Sequence, residues 1–194
     1  MPFFTPGTLV ETPSGQRPIQ ELGTGDVVLN KKGVAVQIRW KSSAMLNFHE
    51  LYGNRHLLPV FIQKSALGRN LPERDMAVSQ NTWLDAECCQ RVGVLMMDED
   101  RVPAKKLLDG HGIRRADPDA LSYIHIHFDR HEIIKANGLW VECYSPLDSD
   151  NGVRRNAQRT ELYAVFPEMR DKKADTFSRK PVVIRSFWGK LKAI

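Results

Sequence analysis

"PFFTPGTLVETPSGQRPIQELGTGDVVLN", residues 2–30, is strand and turn from end to end. "GTLVET" alternates apolar and polar side chains, the period-two pattern of a strand with one buried face. Pro13 and Gly15 in "TPSGQRP" break the run into a turn. "PIQEL" is a short connector, and Gly23 and Gly25 precede a second apolar strand in "GTGDVVLN". "NKKG" reads as a hairpin turn into "VAVQIRWKSSAML", where Val34, Val36, Ile38 and Trp40 share one face.

The rest of the chain continues in this style. "LLPVFIQ" is a strand, followed by a loop, and residues 76–97 mix strand, turn and a little helix. "RVPAKKLLDGHGI" predicts a short helix stopping at Gly110. "ALSYIHIHFDRHEIIKANGLWVECY" reads as a hairpin broken near Asp129-Arg130, with a second turn at "ANG". "SPLDSDNGVRRNAQ" has linker composition, and "RTELYAVFPEM" fits a short helix with Leu162, Val165 and Phe166 on one side. "KPVVIRSF" is a final extended segment. Many short strands with few helices predict an all-β domain over residues 1–148, with a short mixed extension over 149–194 packed on it.

Hydrophobic residues make up 42% of the 194, enough for a core and too many for a disordered chain. No apolar run approaches the roughly 20 residues a membrane helix needs. No basic stretch followed by an apolar one opens the chain, so the expected location is cytoplasmic, taking Met1 as the natural start. Cys88, Cys89 and Cys143 do not form a disulfide framework and are expected as reduced thiols. The net charge of +5 is mild, and although basic residues gather near the C-terminus, the balance does not argue for nucleic acid. No glycine-rich phosphate loop opens a helix after a strand, and no cofactor is called for.

The opening stretch resembles the first motif of Hint domains, the fold of hedgehog autoprocessing domains and inteins. It is most similar to the bacterial branch that opens Cys-Phe-Thr-Pro-Gly-Thr. "LPERDMAVS", "VPAKKLLDGHGIRR", "YIHIHFDRHEIIKANG", "ELYAVFPE" and "KPVVIR" are similar to later segments of that branch. The resemblance implies a flat, horseshoe-shaped β-structure with pseudo-two-fold symmetry. It also implies an N–S acyl shift, in which a cysteine attacks the carbonyl before it and a second-motif histidine protonates the leaving nitrogen. Here Phe3 aligns with that cysteine and Thr82 with that histidine, while Asp129 and His131 match "F-D-R-H-E". The asparagine with which true inteins release their C-terminal segment has no counterpart; Cys143 follows "NGLWVE". Only Met1 and Pro2 precede Phe3, so no cargo is expected upstream. The expectation is a degenerate Hint domain acting as a binding or structural module, with a protein partner left open.

Two other readings use residues 125–143. On a strand, His125, His127, Asp129 and His131 share one face, and His125, His127 and His131 could then hold a metal. A turn at Asp129-Arg130 would break that face. Cys143 with His131 as its base would make a thiol hydrolase. A third alternative is an autoprocessing domain still active through another residue. His49 and His56 are expected as loop or surface residues, and Asp98, Glu99 and Asp100 as a solvated turn.

Overall fold

In a computed structural model, residues 2–89, 100–143 and 153–166 are described. The described residues form thirteen short strands, two α-helices and several single turns of 3-10 helix. Strands β1 (Leu9–Thr12), β2 (Gly15–Pro18), β8 (Trp83–Asp85), β9 (Arg101–Pro103), β12 (Glu132–Ala136) and β13 (Leu139–Cys143) build one sheet in the order β2-β1-β12-β13-β8-β9. A hairpin of β3 (Val27–Leu29) and β4 (Ala35–Gln37) joins its flank through the Asn30–Ile134 bridge.

The second layer is stitched together by the N-terminus. β6 (Val60–Ile62), β7 (Met76–Val78) and β10 (Ile113–Arg115) form one group, and β5 (Trp40–Asn47) pairs with β11 (Ala120–His127) along its full length. Phe4 bridges Val78 on β7 and Ile124 on β11, exchanging two backbone hydrogen bonds with Ile124 at 2.8 and 2.9 Å. Among the described residues the sheets do not close into a barrel, and the fold is predominantly β, as the sequence implied.

Strand alternation sorts the side chains into two cores. Along β11, Ile124 and Ile126 turn into the main core with Val10, Val28, Val78 and Val141. Leu121 and Tyr123 turn the other way, into a second core with Phe3, Trp40, Leu57 and Leu58. Phe3 and Phe4 are divided in the same manner, Phe3 to the second core and Phe4 to the first.

Several local expectations need correction. β11 and β12 do not pair with each other: β11 crosses to β5, and the true hairpin is β12–β13 around Asn137 and Gly138. "VAVQIRWKSSAML" is two strands, β4 and β5, interrupted at Ile38-Arg39, and Val34 at its start is exposed. The helix expected after Arg101 is a strand, Arg101–Pro103, followed by one 3-10 turn, Ala104–Lys106. α1 (Phe48–Gly53) is begun by a capping box in which Asn47 and Glu50 each bond the other's backbone N–H. α2 (Val153–Val165) starts inside the stretch read as linker. The final strand expected at 180–187 lies outside the described residues, as does most of the acidic turn at 98–100. Among the described residues, no helix is long and apolar enough to cross a membrane.

Candidate functional site

Residue 3 sits at the inner end of the N-terminal stitch, gripped from both sides. Ser79 donates its backbone N–H to the Phe3 carbonyl at 3.0 Å. The carbonyl of Pro2, just before residue 3, lies 3.0 Å from Nδ1 of His125. A carbonyl only accepts, so Nδ1 carries the proton and donates. His125 is fully buried, and burial holds its pKa down at about 3, so the ring is the neutral tautomer. Its Nε2 meets no hydrogen-bond partner. The Phe3 ring is itself fully buried, edge-on to His125 and Phe166 with ring centres 5.6 Å away, and 5.3 Å from Tyr123.

Thr82 begins the second half of the site. It follows β7 by one tight turn, in which its backbone N–H bonds back to the Ser79 carbonyl. Its hydroxyl is 3.1 Å from that of Ser79, and both side chains are fully buried. Ser79 Oγ also donates to Oε2 of Glu161, from α2, at 3.0 Å. Burial raises the Glu161 pKa to about 7, against the hydrogen bonds from Ser79 and Asn81 that favour its ionised form. A buried Ser–Thr–Glu group therefore lies beside the gripped peptide, since Ser79 touches both.

The other expected residues go elsewhere. Asp129 is exposed and pairs with Arg39 Nε at 2.7 Å. His131 Nε2 contacts Glu142 Oε1 at 2.6 Å, and the same oxygen accepts from Arg101 at 2.6 Å. This pairing holds the Glu142 carboxyl below its ordinary range, although its burial alone would raise it. Cys143 follows Glu142 on β13, so the two point to opposite faces. His131 is thus on the face away from Cys143, whose thiol is buried and pushed well above its ordinary range by burial. The pairing expected of a thiol hydrolase is not formed.

The metal expectation fails on the same turn. His125 and His127 sit on β11, whereas His131 follows the Asp129-Arg130 turn and is committed to Glu142. No group of three His, Cys, Asp or Glu among the described residues could hold a metal ion. His127 is buried neutral, its pKa lowered by burial to about 4. His49 and His56 are exposed, as expected.

Sequence reasoning missed His125 as the residue that holds the Pro2 carbonyl, and missed Ser79 and Glu161 altogether. One signal was present: Glu161 sits four residues before Val165, on the apolar stripe of its helix.

No functionally curated protein matches this chain significantly. Among solved structures, it resembles a bacterial intein-like domain from Clostridium thermocellum at 13% identity, covering 74% of this chain and 99% of that one with a TM-score of 0.47. The MchDnaB-1 intein is similar at 9% identity over 72% of this chain and 98% of its own, TM-score 0.45. The gp41-1 intein is similar at 16% identity over 72% and 97%, TM-score 0.38. The family model of the Hint domain matches residues 2–148, and the chain belongs to the Hint domain family.

Proposed function

We propose that this chain is a degenerate Hint domain, without autoproteolysis or splicing, that acts as a binding or structural module. The observation that carries this reading is the complete burial of the Phe3 ring at the position aligned with the family's nucleophile. Phenylalanine has no lone pair to attack the Pro2 carbonyl, so the first bond of an acyl shift cannot form there. Thr82 aligns with the family's histidine, and an alcohol is too weak an acid–base group near neutral pH to hand a proton to a leaving amine. The grip on the peptide is still present, through His125 and the Ser79 backbone. Asp129 and His131, aligned with the family's later motif, are engaged elsewhere, Asp129 with Arg39 and His131 with Glu142, which supports a structural role for both. We read residues 1–148 as the Hint unit and 149–194 as an extension, in line with a family match that ends at 148.

The test is a reporter protein fused ahead of Met1. At neutral pH with added thiol, the fusion should stay whole for days, as read by intact mass. Free reporter cut at or near residue 3 would overturn the reading.

A further inference from the structure

Helix α2 lies beyond the family-matched residues, yet it closes the Phe3 site. Leu162, Val165 and Phe166 are buried against the second core, with the Phe166 ring centre 5.6 Å from that of Phe3 and 6.2 Å from that of Trp40. The same helix carries Glu161 into the polar pocket of Ser79 and Thr82. One carboxylate oxygen accepts from Ser79; the other, Oε1, has no hydrogen-bond partner. Among the described residues neither oxygen is paired with a lysine or arginine. A carboxyl that is fully buried, with Oε1 unsatisfied and no lysine or arginine beside it, is stable mainly in its neutral form.

We propose that α2 is a pH-sensitive latch over the Phe3 site: docked while the Glu161 carboxyl is neutral, and loosened as it ionises. The groups acting on Glu161 from the packed elements are Ser79 and Asn81 at the β7–β8 turn and the charge of the amino terminus, all favouring the carboxylate. Tyr123 on β11 faces it as a neutral phenol, its own ionisation opposed by burial and by Glu161. Burial outweighs the first three and puts the docked pKa at about 7. A carboxyl raised on docking favours the docked state fully below its free value near 4.5, and that advantage is lost as pH climbs through 7. Opening exposes the Phe3 ring and the gripped peptide before it. The latch depends on the packing of α2, not on whether residue 3 can react.

Hydrogen exchange of the full chain, followed by mass spectrometry and corrected for intrinsic rates, reads this directly. Between pH 5.5 and 7.5, protection of amides in 158–166 should fall by ~20-fold, the ratio expected for pKa values near 4.5 and 7. Glu161→Gln should keep the helix protected and remove most of the pH ratio. Leu162→Ala should lower protection at both pH values and leave the ratio intact. A change under twofold in the native protein overturns the latch, as does an unchanged ratio in Glu161→Gln. An equal loss of protection in β12 and β13 also overturns it, because opening would then be global.

Discussion

Nδ1 of His125 donates to the carbonyl oxygen of Pro2 at 3.0 Å, and so holds the peptide bond that an acyl shift at residue 3 would attack. Because burial keeps His125 neutral, its N–H can stabilise negative charge developing on that oxygen without first being protonated. This arrangement makes a recovery experiment specific. In a fusion with upstream cargo, Phe3→Cys with Thr82→His should permit thiol-induced cleavage before residue 3. Adding His125→Phe should slow it by about 10²-fold or more, the usual cost of losing one such donor. Adding Asp129→Asn should change the rate less than about threefold, since Asp129 is spent on Arg39. Equal sensitivity to both substitutions would refute the role given to His125.

Phe3 is also structural. Its ring touches Tyr123, His125 and Phe166 and is fully buried. Phe3→Ala should lower unfolding stability by about 3–5 kcal/mol in urea titrations, through lost burial and the cavity left behind. A loss below about 1 kcal/mol would mean the terminus frays from its slot.

The β12–β13 turn favours glycine at its second position. Gly138 has φ of +84°, and a Cβ there would lie 2.8 Å from Leu71 Cδ2 and 2.9 Å from Glu73 side-chain carbons. Gly138→Ala should cost about 2 kcal/mol or more, since the left-handed conformation alone costs roughly 1–2. Thermal melts should show this, and an unchanged melting temperature would contradict it.

Acid should destabilise the fold through its buried imidazoles. The His125 pKa is lowered from 6.5 to about 3 and that of His127 to about 4. A histidine lowered on folding binds more protons when unfolded, so its contribution is whole above pH 6.5 and falls as pH drops toward those values. Glu142, also lowered on folding, adds a loss that sets in below its ordinary range. His125→Gln should flatten the decline in stability between pH 6.5 and 4, measured by urea titration at several pH values. A slope matching the native protein would show that His125 does not titrate as described.

Much of this architecture was legible from residues 2–30, because β1 and β3 each keep one buried face and glycine or proline marks the turns. The misreading of "ALSYIHIHFDRHEII" has a physical cause. β11 is buried on both faces between two cores, so alternation could not reveal that its partner is β5 rather than β12. The two-residue spacing put His125 and His127 on one face with His131, whereas a turn separates His131 from the other two. Phe3 and Thr82 could be aligned from local motifs. Glu161 could not, because its place beside Ser79 comes from packing between segments 82 residues apart. The start of α2 was hidden by composition: "NGVRR" reads as a loop, and only tertiary packing of Leu162 and Phe166 makes the helix worthwhile.

The central claim is that the native chain grips the peptide before residue 3 but cannot cut it. Intact mass of a reporter fused ahead of Met1, held at neutral pH with excess thiol for several days, tests this most directly. A single species at the full fusion mass is the predicted result; a free reporter together with a fragment beginning at or near Phe3 would contradict it.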